Sequence, residues 1–184
     1  MQHPASKHLV CLTLCLLMAL GALEGSIAEK RPSVIMLEGM EVPLEETLYR
    51  SPAGFSFWYP EEDFKAYPGK VGRIQGVIVL NPYSDDYMIL STVTKKEAEK
   101  VLRDARRDAA MLSSPSRIQE ELGQKIKKSR VSFCTLIAEN GLFLRADGEY
   151  FLEAAEGTAK YFDHILNSVT LFPPESEGSA PQTP

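Results

Sequence analysis

Cysteine and histidine are scarce in this chain of 184 residues, with three of each. Cys11, Cys15, His3 and His8 all belong to an N-terminal segment read below as a removable leader, so Cys134 and His164 are what remain. One thiol cannot close an intramolecular disulfide, and the core must stand without a covalent staple. A nucleophilic dyad needs a base within hydrogen-bond reach of its nucleophile. Zinc gathers three or four Cys, His or carboxylate ligands. The supply suits neither chemistry. Glycine-rich phosphate loops of the GxxxxGKS/T and GxGxxG types are also missing. So is a surplus of positive charge: the formal net charge is −5, which opposes a dedicated nucleic-acid binder. The expectation is no catalytic residue, no cofactor and no nucleic-acid partner.

Long apolar runs are short of what a membrane requires. Leu9 to Leu23 is uncharged over 15 residues, against the roughly 20 that span hydrocarbon, and Glu24 closes it. Lys7 and His8 precede the run and Gly25-Ser26-Ile27-Ala28 follows it. Small residues at 26 and 28 fit a signal-peptide cleavage site between Ala28 and Glu29, which makes residues 1–28 a signal peptide. Val10 and Leu14, not small residues, stand before the two leader cysteines, so the chain is not read as a lipoprotein. The mature protein is expected to be secreted or extracytoplasmic, with no transmembrane segment after cleavage.

Beyond a short linker at 29–32, residues 33–172 read as one domain without internal repeats. Residues 173–184 hold no large apolar side chain and are expected to be a disordered tail. Strand composition marks 33–37 and 42–50. Phe55, Phe57 and Tyr59 alternate with Ser56 and Trp58. Further strands are expected at 74–80 and 87–93. Thr94 to Glu97 is a capping box, and Ala98, Val101, Leu102, Ala105, Ala109 and Leu112 form one helical stripe after it. Ile118, Leu122 and Ile126 suggest a short second helix. Strands at 131–138 and 142–146 are joined by Asn140-Gly141, a hairpin signal. A last helix is expected over 153–168, with an apolar arc that leaves His164 facing solvent, and a closing strand at 169–172. This order gives an α+β class: an antiparallel β-sheet flanked by two or three α-helices.

The stretch Gly54-Phe55-Ser56-Phe57-Trp58-Tyr59-Pro60, taken with Ile165-Leu166-Asn167-Ser168 near the end, resembles the PsbP-like fold, which includes DcrB-like bacterial domains. Leu37-Glu38-Gly39-Met40-Glu41 looks like exported Gram-positive members of that type. The resemblance spans about residues 34–172. It implies an extracytoplasmic accessory or binding protein without a catalytic centre. The plant member assists metal retention at a photosystem, a role with no matching ligand set here. Fold analogy does not choose among partners.

Several residues stand out as candidates for recognition. Alternation turns Trp58 away from the face of Phe55, Phe57 and Tyr59, toward a helix or solvent. With Tyr83 it is an aromatic anchor of the kind that dominates interfaces. Lys125, Lys127, Lys128 and Arg130 form a basic run able to attract an anionic polymer or lipid, or simply a solvated edge. Asp85 and Asp86 are the residues nearest to a cation site, without the spaced pattern of a calcium loop, and no metal is expected. Cys134 reads as a buried, inert thiol. The resulting expectation is an exported, non-enzymatic accessory or binding module for an unknown protein or envelope ligand. The alternatives are a hydrolase using carboxylates of 61–63 and 85–86, and a self-associating structural protein of the cell envelope.

Overall fold

Period-two alternation governs most of the chain, and ten strands result among the described residues. The computed structural model describes residues 28–114 and 116–174. Of the segment expected to be a signal peptide, residues 1–27, and of the expected tail, residues 175–184, lie outside the described residues. The strands are β1 (Lys30–Leu37), β2 (Met40–Ser51), β3 (Phe55–Pro60), β4 (Lys65–Val71), β5 (Ile74–Leu80), β6 (Tyr87–Thr92), β7 (Ile118–Lys127), β8 (Arg130–Glu139), β9 (Leu142–Phe151) and β10 (Thr170–Leu171). Two α-helices accompany them, α1 (Lys95–Asp104) and α2 (Lys160–Asn167). All pairings are antiparallel. A small sheet runs β1-β2-β3-β10 and a large one β4-β5-β6-β9-β8-β7. The α+β class holds, but strands dominate, only two of the three helices expected by position form, and two sheets replace the expected one.

Strands β8 and β9 sort their side chains between two cores. Phe55, Phe57 and Tyr59 of β3 join Val77 and Val79 of β5, Leu90 of β6, Ile137 of β8, Leu144 of β9 and Phe162, Ile165 and Leu166 of α2 in the main core. Leu136, Ala138 and Phe143 point the opposite way and bury Ala98 and Leu102 of α1. Neighbours in sequence thus serve different layers, as strand geometry requires. Gly76 allows this closeness: a Cβ there would strike the Leu90 carbonyl.

Five local expectations are corrected. Residues 30–32, expected as linker, already pair with β2, because Lys30 opposite Thr47 and Arg31 opposite Glu46 continue the ladder. β4 was not anticipated; Pro68 and Gly69 disguised it, and a proline is tolerated there because β4 is an edge strand. The helix expected to reach Leu112 stops at Asp104. Arg106 takes φ +58°, and Arg107 N–H donates to the Leu102 carbonyl at 2.8 Å, a Schellman ending without its usual glycine. A separate 3₁₀ turn, Ala109–Ser113, carries Leu112 back to the second core.

The expected helix at Ile118, Leu122 and Ile126 is strand β7. A spacing of four fits period two as well as period 3.6, and Gly123, at φ +134°, makes a bulge within the pairing to β8. The last helix is also shorter than expected. A 3₁₀ turn at 152–154 and a π-helical turn, Ala155–Ala159, precede α2.

Candidate functional site

Asp86 organises one end of the large sheet. It is fully buried, at the end of the β5–β6 loop. One carboxylate oxygen accepts the Phe151 N–H at 2.9 Å. The other accepts hydroxyls from Ser84 at 2.8 Å and Thr158 at 3.0 Å. The Arg130 guanidinium lies 3.9 Å away and also sits over the Phe151 ring, 4.1 Å from its centroid. Leu152 N–H donates to the Ser129 carbonyl at 2.8 Å. These bonds hold the 81–86 loop, the β7–β8 turn and the end of β9 together.

What this end presents outward is apolar and basic. Tyr83 is 83% exposed and Ile126 63%, and Phe151 and Leu152 are also exposed. Lys125, Lys127 and Lys128 surround Ile126 on the hairpin, with Lys128 turned at φ +58°. Asp85 is exposed on the neighbouring loop. The structure therefore brings Tyr83 and the basic run to one end, while Arg130 points inward to Asp86. Trp58 belongs elsewhere. It lies half-buried on β3 beneath the Arg31 guanidinium, 4.4 Å from the ring centroid.

The candidate cation residues divide in the same way. Asp85 is free in solvent, whereas both oxygens of Asp86 are occupied by protein donors. In the loop after β3, Glu61 accepts the Thr47 hydroxyl at 3.0 Å. Among the described residues no three His, Cys, Asp or Glu side chains gather at metal-binding spacing.

His164 does not face solvent as expected. Its side chain is 23% exposed, and Nε2 lies 2.9 Å from Oε1 of Glu46, which is fully buried. Arg31 Nε donates to the other Glu46 oxygen at 2.8 Å. The expectation treated the helix alone, with its polar flank in water. In the fold that flank meets the side of the small sheet that carries Glu46 and Trp58. Sequence reasoning missed Glu46, because within Glu45-Glu46-Thr47 nothing but strand parity distinguishes it from an exposed neighbour.

Cys134 lies half-buried on the α1 side of the large sheet. Burial first, and then the negative charge of Asp147, pushes its thiol up to about 11. It lines a cleft of about 410 Å³ with Val101, Asp104, Lys125, Arg145 and Asp147. Arg145 donates to Asp147 at 2.6 Å, while Arg145 Nε and Asp147 Oδ2 are buried without partners. The acidic neighbour and the burial both favour the protonated sulfur, and the histidine is engaged with Glu46.

Among the described residues no helix is long and apolar enough to cross a membrane. No family model and no curated protein matches the sequence. Among solved structures the chain is similar to the solution structure of cyanobacterial PsbP (CyanoP) from Synechocystis sp. PCC 6803. The two are 13% identical, the match covers 68% of this chain and 91% of that one, and the TM-score is 0.39.

Proposed function

We propose that this protein is an exported, non-enzymatic accessory or binding module of the PsbP-like type, and that the hairpin end of its large sheet is the contact surface. One observation carries the reading: exposed Tyr83, Ile126, Phe151 and Leu152 share an end with three lysines, above a buried carboxylate that fixes the loops. Apolar side chains left in water beside cations suit a partner that offers negative charge around an apolar patch. The protonated Cys134 and the engaged His164 favour holding over transforming. Export through the N-terminal segment belongs to the same proposal.

The test is co-sedimentation of the mature protein with envelope membranes from its source cell and with vesicles of anionic or neutral lipid. The triple variant Lys125→Glu, Ile126→Ser, Lys127→Glu is run alongside, with its fold checked by circular dichroism. Wild type is expected to sediment with the envelope membranes and to be released by salt, while the variant stays in solution. Equal sedimentation of the two proteins would remove the surface from consideration. The vesicle arms separate an anionic lipid from a protein or polymer partner.

A further inference from the structure

Where α2 crosses the edge of the large sheet, a small cavity of about 150 Å³ opens between β7, β8, β9 and the helix. Three aromatic rings form its wall. Phe133 lies 6.0 Å from Tyr150 and 5.8 Å from Phe162 between centroids, and Tyr150 lies 6.4 Å from Phe162. All three pairs are inclined, at 43°, 40° and 63°. Gly148 seats Phe133, since a Cβ there would collide with that ring.

The polar groups lining the cavity are mostly oxygen-bearing. Glu121 from β7 and Asp163 from α2 supply carboxylates, and Gln119 and Gln124 supply amides. Tyr150 and Thr135 are 4% and 5% exposed. Both line the cavity, and neither hydroxyl makes a hydrogen bond among the described residues. Neither hydroxyl oxygen is sealed away from solvent, so both stand open to a group that enters the cavity. Desolvation first holds the Asp163 carboxyl above its usual range; Lys160 on the same helix opposes this and Glu121 adds to it.

We infer that this cavity binds the end of a primary alkylammonium group. An ammonium brings three N–H donors and no acceptor, which matches two carboxylates and two unpaired hydroxyl oxygens. Its charge is attracted by aromatic faces within about 6 Å of the ring centroid. The volume suits the guest, since an apolar cavity of about 150 Å³ accommodates a molecule the size of benzene. An anion would be repelled by Glu121 and Asp163, which are both exposed, and a neutral alcohol would gain nothing from their charge. This site is distinct from the hairpin end, and either can fail without the other.

The experiment is a titration of the ¹⁵N-labelled mature protein followed by amide shifts. The probes are butylammonium and the N-acetyl, N′-methylamide derivative of lysine, with butanol, butyrate and tetramethylammonium as controls. Saturable shifts are expected from both primary amines, confined to 119–124, 133–135, 148–150 and 159–163. Tighter binding of the lysine derivative would identify a side chain of a partner as the source, and tighter binding of butylammonium a free amine. Glu121→Gln with Asp163→Asn is expected to weaken binding at least tenfold. Tyr150→Phe, which keeps the ring, should weaken it about threefold, a change worth roughly 0.6 kcal/mol. No saturation by about 100 mM, two decades above a ~1 mM site, would overturn the proposal. So would an equal response to butanol, or unchanged affinity in both variants.

Discussion

Burial decides what Cys134 can do. Reaction with an alkylating reagent runs through the thiolate, and a thiol pushed up to about 11 from an ordinary 9.0 releases its proton only in strong alkali. At pH 8 the thiolate fraction is about one in a thousand, against about one in ten for an unperturbed thiol. Iodoacetamide should therefore modify native Cys134 roughly a hundredfold more slowly than the urea-unfolded chain at that pH. The rate should climb tenfold for each pH step up to about 11. A native rate within threefold of the unfolded one would contradict the assigned environment. Glu46 makes the complementary case. It is fully buried and its two oxygens are met by Arg31 and His164. His164→Ala removes one donor and should cost about 1–3 kcal/mol in urea unfolding at neutral pH, the usual penalty for orphaning a buried acceptor. A loss below about 0.5 kcal/mol would mean that water replaces the imidazole.

Among elements, Asp86 joins segments that are far apart in the chain. Its carboxylate ties the β5–β6 loop, the end of β9 and the turn before α2, with Arg130 of β8 alongside. Asp86→Ala leaves a buried N–H and a buried hydroxyl without their acceptor and a nearby guanidinium without its counter-charge. It should cost about 3–5 kcal/mol. Asp85→Asn, at an exposed position whose φ of +56° asparagine tolerates, should change stability by less than about 1 kcal/mol. Similar losses in the two variants, measured by urea titration, would deny Asp86 its role. From the sequence these neighbours look alike, because burial of Asp86 depends on Phe151 and Thr158, far away in the chain. What the sequence did expose was local. The capping box forms: Thr94 N–H donates to Glu97 at 2.8 Å and Glu97 N–H to the threonine hydroxyl at 3.3 Å. The Asn140-Gly141 hairpin forms too, with both residues at positive φ. The alternation of β3 places Phe55, Phe57 and Tyr59 in the core and Trp58 on the other face. Illegible were features set by partners: β4 with its proline, β7 with its ambiguous spacing, and the Glu46–His164 pair. Of the site, Tyr83 and the lysines were legible as residues but not as neighbours, because Asp86 does the gathering.

At the scale of the whole molecule the question is whether two sheets make one cooperative unit. The main core answers through composition: β3 and β10 of the small sheet bury side chains among those of β5, β6, β8 and β9, and α2 contributes Phe162, Ile165 and Leu166 to the same cluster. Phe57 is fully buried and stacks against Tyr49 at 5.2 Å and Phe55 at 6.3 Å. The chain supplies a native probe for each sheet, since Trp58, the single tryptophan, reports on β3 and Cys134 on β8. Fluorescence of Trp58 and thiol labelling of Cys134 in the chain begun at Glu29 should therefore give one urea midpoint, as expected of a two-state domain. Phe57→Ala opens a cavity in the shared core and should cost about 3–5 kcal/mol. Although Phe57 lies in the small sheet, this loss should lower both midpoints together. If Phe57→Ala lowers the Trp58 midpoint and leaves that of Cys134 in place, the sheets unfold separately. The large sheet, which carries both proposed binding sites, would then stand without the small one.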